Sequence, residues 1–130
     1  MSESVDVTQK LFERFGAADI PGILEYIHDD NVIEFYGPSV IPYAGTYRGR
    51  DEARQFFENV LNNVDIHLFD AEQFFSEGPM VSVSGVLHLT AKRTGVDIKS
   101  SFAHVITVKD GKWLRFRDFM DTSQAVAAFS

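Results

Sequence analysis

The sequence contains no cysteine among its 130 residues. That absence excludes disulfide bonds, thiol nucleophiles, cysteine-ligated zinc and iron–sulfur clusters. No apolar run approaches the roughly 20 residues that a membrane-spanning helix needs, and residues 1–10 lack the basic start and apolar centre of a signal peptide. The length fits one domain over residues 1–130 better than two independent cores. The sequence therefore predicts a single-domain cytoplasmic protein with no membrane partner.

Basic residues are few and scattered. Twelve Lys and Arg face 19 Asp and Glu, which gives a net charge of −7. A protein that binds a phosphate backbone needs a basic surface, so we expect no nucleic-acid partner. Apolar residues reach 45% and the chain has 12 Phe, which indicates a globular protein with a Phe-rich interior or an apolar pocket.

The order of the periodic patterns predicts the fold class. In the first half, apolar residues recur at helical spacing. We expect three helices at residues 7–15, 20–27 and 53–61 (the last starting near Arg50), a strand at Val32–Tyr36, and a loop over residues 37–45 with two Pro and two Gly. The second half predicts strands at 64–75, 80–90, 97–108 and 113–121, and then a short helix capped by Asp121. Helices followed by an antiparallel meander are typical of an α+β fold with the helices covering one sheet face.

The last hairpin decides which side chains face inward. A three-residue loop, Lys109–Gly111, pairs Val108 with Lys112. A two-residue loop would turn Arg115 and Arg117 into the apolar face, and an unpaired buried charge costs several kcal/mol. With the three-residue loop, Phe116, Met120 and their apolar neighbours face inward, whereas Trp113 and Phe119 lie on the outer face and suggest a homodimer surface.

Two polar residues interrupt this inward face. His104 and Asp118 are predicted to be diagonal neighbours with Cβ atoms roughly 7–8 Å apart. His88 faces away from them. Tyr43 lies beside the Pro/Gly loop at the expected cavity mouth, where a phenol can stabilise an oxyanion. The remaining residues expected to shape the pocket are apolar or aromatic: Phe35, Tyr36, Phe57, Val83, Phe102, Ile106, Phe116 and Met120.

Two sequence blocks resemble a known family. The run YAGTYRGR at residues 43–50 precedes a Phe-rich helix, and SFAHVITV at residues 101–108 is followed by DGK and then RFRDFMDT at residues 115–122. Together they resemble the SnoaL-like branch of the NTF2-like superfamily, which includes polyketide cyclases and ketosteroid isomerases. The resemblance implies a cone, in which a curved, mainly antiparallel sheet wraps around three helices and encloses a cavity. It also implies a homodimer, no cofactor, and an acid–base centre that matches His104 and Asp118.

Other chemistries in this superfamily match less well. Ketosteroid isomerases carry a catalytic Asp where this chain has Phe35 after Glu34. Relatives of limonene-epoxide hydrolase use an Asp–Arg–Asp arrangement around a water, and here Arg115 and Arg117 are expected to face away. The His28-Asp29-Asp30 run reads as a helix end and a solvated turn, and no sequence spacing typical of a metal site is present.

The favoured hypothesis is a cofactor-free enzyme that uses His104 and Asp118, with Tyr43 as oxyanion stabiliser, to isomerise, cyclise or dehydrate a hydrophobic carbonyl compound. Two alternatives stay open. The first is a non-catalytic module that binds a hydrophobic small molecule, in which the His–Asp pair merely fixes the hairpin. The second is an epoxide hydrolase, which requires a polar water site flanked by Arg and Asp and would be favoured if Arg117 rather than Phe116 lined the cavity.

Overall fold

The computed structural model describes residues 3–130, which form four helices and a six-stranded sheet. Among these residues, no helix is both long and apolar enough to cross a membrane. In chain order the elements are α1 (Glu3–Gly16), α2 (Ile20–Leu24), β1 (Ile27–Phe35), β2 (Gly45–Arg48), α3 (Gly49–Asn63), β3 (Val64–Glu77), β4 (Met80–Ala91), β5 (Asp97–Lys109), β6 (Lys112–Met120) and α4 (Thr122–Phe129).

The sheet runs in the order β2-β1-β6-β5-β4-β3. All neighbouring strands are antiparallel except β1 and β6, which are parallel. Helix α1 packs against β3 to β6, and α3 packs against β1, β2 and β3. The predicted α+β fold is therefore confirmed: a curved open sheet wraps around helices from the first half of the chain, and the space between them holds the site.

Local chemistry explains where the helices begin. Asp19 caps α2 by accepting a hydrogen bond from the backbone N–H of Gly22 at 3.0 Å. Asp121 caps α4 in the same way, through the N–H of Ser123, as the sequence predicted. At the start of α3, the guanidinium of Arg50 donates to the carbonyl oxygens of Leu24 and Ile27 at 2.7 and 2.8 Å. That contact fixes α3 to the junction between α2 and β1.

Some predicted boundaries were wrong. The second helix ends at Leu24, so Ile27 belongs to β1 instead, which starts five residues before the predicted Val32. Short strand β2 was missed between the end of the predicted loop and the predicted start of the third helix, because four residues are too few to show alternation.

The turn of the last hairpin also differs from the prediction. Lys109 pairs with Lys112, so the loop holds the two residues Asp110 and Gly111 and not three. Both have positive φ, 55° and 72°, which is the geometry that Asp-Gly favours in a tight hairpin. The predicted pairing of Val108 with Lys112 is therefore wrong.

A bulge in β6 restores the predicted inward and outward faces of the hairpin beyond Leu114. Val108 pairs with Trp113 and Thr107 with Arg115, which leaves Leu114 as an extra residue on β6. Beyond it the register differs from the predicted one by two residues. A shift of two keeps every side chain on its face, whereas a shift of one would exchange the faces.

The bulge has one visible consequence for the core. Trp113 was expected on the outer face, but it is 1% exposed and packs inside. Its indole N–H donates to the hydroxyl of Thr8 on α1 at 3.1 Å, and its ring stacks on Phe116 with centroids 4.5 Å apart. The outer face of the hairpin therefore keeps Phe119 but loses the tryptophan from the expected dimer surface.

Gly85 lies on β4 where the backbone of β3 comes so close that no side chain fits. A Cβ at this position would lie 1.9 Å from the carbonyl oxygen of Asp70 and 2.9 Å from the ring of Phe102. Because the first obstacle is backbone, Gly85→Ala should lower the free energy of unfolding by about 3 kcal/mol or more. Urea denaturation measures this. Gly16→Ala is the control, since a Cβ there meets nothing within 4 Å, and an equal loss in both variants would contradict the packing described.

Candidate functional site

A cavity of about 70 Å³ lies between the helices and the inner sheet face. Among the described residues, four polar groups interrupt its otherwise apolar walls. They are the phenol of Tyr43, the imidazole of His104, the indole of Trp113 and the carboxylate of Asp118. The lining consists of Leu11, Phe12, Phe15, Phe35, Tyr43, Phe56, Phe57, Val60, Ile66, Phe69, Leu87, Leu89, His104, Trp113, Phe116, Asp118 and Met120.

The cavity is small in this conformation. An engineered void of roughly 150 Å³ holds a benzene molecule, so even a one-ring ligand requires some of the lining side chains to move. Several of them are only partly buried, including Phe12, Phe15, Phe69 and Met120. These partly buried side chains are less constrained by packing than the fully buried side chains of the lining.

His104 and Asp118 lie directly opposite each other on β5 and β6. The predicted diagonal arrangement was wrong because the register is shifted by two residues. Nε2 of His104 is 3.3 Å from Oδ1 of Asp118, and the two side chains are 5% and 17% exposed. The pair is thus inside the cone, with the carboxylate nearer to solvent than the imidazole.

Aromatic rings surround the imidazole. Phe12, Phe69, Phe102 and Phe116 have ring centroids 4.5–5.9 Å from that of His104. Nδ1 of His104 is buried and has no hydrogen-bond partner in the described chain. A buried polar atom without a partner costs free energy, so this nitrogen is an unused polar position in an apolar surrounding.

Tyr43 reaches the same cavity from the loop before β2. It is buried, with its ring edge-on to Phe35 and Phe129, and its hydroxyl has no hydrogen-bond partner within residues 3–130. Burial raises the pKa of the Tyr43 phenol above its ordinary value, and the negative charge of Asp118 raises it further. Tyr43 is therefore a protonated, unpaired donor beside the His104–Asp118 pair.

The other predicted pocket residues separate into two groups. Phe35, Phe57, Phe116 and Met120 line the cavity. A second set is buried on or near the inward face but lies behind the lining: Val83, Phe102 and Ile106.

The structure contradicts the placement of Tyr36. Its side chain is 41% exposed and stacks on Phe119 of the outer face, with centroids 5.0 Å apart. Its hydroxyl donates to Glu34 at 2.7 Å, and Arg115 donates to the same carboxylate at 2.9 Å. These two hydrogen bonds lower the pKa of Glu34. Tyr36 follows the last residue of β1, so its position depends on the loop and not on strand alternation.

Both arginines of β6 face away from the cavity. Arg115 binds Glu34, and the guanidinium of Arg117 lies 5.3 Å from the ring centroid of Phe119. Phe116, and not Arg117, lines the cavity. The condition set for the epoxide-hydrolase alternative is therefore not met.

Several lining residues were not predicted as such. Phe12 and Phe15 of α1 share a face with Leu11, and this spacing was available in the sequence. Phe69 was hidden because irregular pairing on either side of it, after Ile66 and after Ala71, breaks the alternation of β3. Trp113 was missed because no sequence signal marks the bulge at Leu114.

Comparison with known proteins identifies the family. The model of the SnoaL-like domain matches residues 8–116, which is most of the chain. The chain belongs to the SnoaL-like domain family. No curated protein matches it in sequence.

Solved structures with the fold of this SnoaL-like protein extend the comparison. It is similar to an NTF2-like protein from Burkholderia xenovorans (25% identity, TM-score 0.90, 98% of this chain and 96% of that one covered). It is also similar to an NTF2-like protein of unknown function from Burkholderia pseudomallei (26%, 0.90, 100% and 99%). A third similar structure is TerC, co-crystallised with polyporic acid (25%, 0.85, 98% and 98%). Candidate isomerases, a candidate polyketide cyclase and an epoxide hydrolase share the fold at 16–19% identity, which shows the fold alone.

The raised pKa of Tyr43 predicts a specific dependence of stability on pH. A free phenol ionises near pH 10, and the folded chain disfavours that ionisation, so the unfolded state loses its proton first. Stability should be fully present below about pH 10 and should fall as the pH rises above it. Tyr43→Phe should remove this part of the loss. Urea unfolding of both proteins at about pH 8 and about pH 11 measures the difference, and an equal loss in the two would show that Tyr43 is not held in its protonated form.

Proposed function

We propose that this SnoaL-like protein is a cofactor-free enzyme that moves a proton on a small, apolar, carbonyl-bearing molecule. The observation that carries the proposal is the meeting of Tyr43, His104 and Asp118 at one otherwise apolar cavity. Two of these groups have a buried polar atom with no partner among residues 3–130. A carbonyl oxygen of a ligand would satisfy the Tyr43 hydroxyl, and a second polar group of the ligand would satisfy Nδ1 of His104.

Each group has a distinct role in the proposed reaction. The carboxylate of Asp118 removes a proton from the carbon next to the carbonyl, and the same group returns it elsewhere on the substrate. The hydroxyl of Tyr43 donates a hydrogen bond to the developing enolate oxygen, because its raised pKa keeps it protonated. His104, 3.3 Å from Asp118, holds the carboxylate in place and presents its free Nδ1 to the ligand.

The apolar lining supports this chemistry in two ways. Apolar walls disfavour bound water, so hydrogen bonds to a developing charge are stronger there than they would be in solution. The lining also favours an apolar substrate body. Among structures of similar fold, TerC has been co-crystallised with the small molecule polyporic acid, which supports a small organic ligand for this chain as well.

A non-catalytic binding module is the second candidate, and the aromatic packing around His104 favours it. Rings on several sides of the imidazole restrict how far it can move during a proton transfer. In that case the His–Asp pair orders the hairpin, and the cavity binds a ligand without converting it.

Exchange of α-protons with deuterium distinguishes the two candidates. Indanone and tetralone in deuterated buffer should lose their α-proton NMR signals faster with the protein than without it. Asp118→Asn should lower this rate roughly 10²–10⁴-fold, which is the usual contribution of a general base. Asp110→Asn is the matched control, because Asp110 also lies beside a histidine, at 3.8 Å from His28, but on the surface.

The results of this experiment distinguish the enzyme from the binding module. Faster exchange that is lost in Asp118→Asn and retained in Asp110→Asn supports the enzyme. Ketones that shift or broaden the protein signals without any exchange support the binding module. A folded Asp118→Asn variant that retains more than a tenth of the wild-type rate removes Asp118 from the proposed mechanism.

A further inference from the structure

A second cluster of polar side chains lies on the outer face of the sheet, away from the cavity-lining pair. His67, His88 and Asp97 come from the adjacent strands β3, β4 and β5. Each offers one ligand atom, and these atoms lie within 4.8 Å of one another. Residues from three strands meet here although they are far apart in sequence.

The strand register explains the meeting. Leu68 pairs with His88 and Ile66 pairs with Leu89, so His67 is an extra residue on β3 between them. A bulge of this kind re-aims a side chain. On the other side, Asp97 of β5 pairs with Thr90, which lies two residues after His88 on β4. Asp97 and His88 therefore lie on the same face of the sheet.

The contacts within the cluster converge on the carboxylate. Nε2 of His67 is 2.7 Å from the hydroxyl of Thr90, which donates to Oδ1 of Asp97 at 2.8 Å. Because the single Thr90 proton is used on Asp97, the bond to His67 is donated by the imidazole. Nε2 of His88 lies 3.5 Å from Oδ2 of Asp97. Both imidazoles therefore direct Nε2 at the Thr90–Asp97 pair.

One ligand atom of the cluster is only weakly paired. Nε2 of His88 is buried, and its single polar contact within residues 3–130 is with the carboxylate of Asp97 at 3.5 Å, which is too long for a strong hydrogen bond. A bound cation would replace the contact between His67 and Thr90, because Nε2 of His67 must pass its proton to Nδ1 before it can ligate. The cation would then engage Nε2 of both imidazoles and the carboxylate of Asp97 together.

We propose that His67, His88 and Asp97 form a binding site for a divalent transition-metal ion of the zinc type. Two imidazole nitrogens and one carboxylate oxygen suit zinc and its neighbours, whereas magnesium and calcium prefer oxygen ligands alone. Three protein ligands leave a fourth position for water or another small ligand. Thr90 holds the carboxylate by a hydrogen bond, which is the outer-shell support usual at such sites.

Binding requires modest movement. Bonds of about 2.0–2.2 Å to a tetrahedral ion bring its ligand atoms to about 3.5 Å from one another, so the side chains must close by about 1 Å. His67 and Asp97 are exposed and have room to do so. Lys99 is the cross-strand neighbour of His88, and its positive charge opposes the ion. Lys99 is exposed, so its side chain can extend into solvent and away from the ion.

Isothermal titration of the untagged full chain with zinc chloride tests the site. We expect saturable binding of one Zn²⁺ per chain. His67→Gln and His88→Gln should each weaken binding about 100-fold or more, since losing an outer-shell partner alone costs 10–100-fold. His28→Gln is the matched control. His28 also lies beside a carboxylate, that of Asp110, but it is not part of the His67–His88–Asp97 cluster.

Two further readouts make the result decisive. Bound Co²⁺ should give the intense visible absorption of a four-coordinate site, and Zn²⁺ should raise the Tm of the wild type but not of His88→Gln. Absence of saturable binding would overturn the proposal, as would equal binding by wild type and both cluster variants. Loss of binding in His28→Gln with retention in His88→Gln would overturn it too.

Discussion

Strand β6 carries one residue more than its partner β5, and every side chain beyond that residue depends on it. With the two-residue turn and no extra residue, Arg115 and Arg117 would face the core beside Ile106 and His104. Leu114 occupies the bulge and reverses that alternation, so that Phe116, Asp118 and Met120 face inward. The bulge thus places the carboxylate of Asp118 opposite the imidazole of His104, and the candidate site follows from it.

The same inward face creates a conflict between packing and binding. Filling the cone with aromatic rings buries apolar surface and stabilises the fold, but it leaves a cavity of only about 70 Å³. The polar groups inside the cavity reduce this stability, because Tyr43 and His104 each carry a buried atom that has no hydrogen-bond partner among residues 3–130. A site that holds unpaired polar atoms in an apolar space is less stable than it could be, and this is a usual property of sites that act on ligands.

The sequence predicted the fold class and the inward parity of the last hairpin for identifiable reasons. Charged residues cannot face an apolar core without a large penalty, so the positions of Arg115 and Arg117 fixed which face is outside. The register itself could not be predicted, because a three-residue loop and a two-residue turn plus a bulge give the same faces beyond Leu114. Trp113 lies before that point, and its position was therefore predicted wrongly. The grouping of His67 with His88 and Asp97 was also out of reach, since it depends on a bulge and on pairing across three strands.

The proposed function depends on His104 facing a ligand-accessible cavity shared with Asp118 and Tyr43. Imidazole ¹⁵N–¹H NMR spectra test it directly, because the chain has four histidines and three of them serve as internal references. Titration with naphthol, an enol mimic, should shift the ring signals of His104 and leave those of His28, His67 and His88 in place. Binding of naphthol with no change at His104, or with equal changes at His28 and His88, would contradict the account.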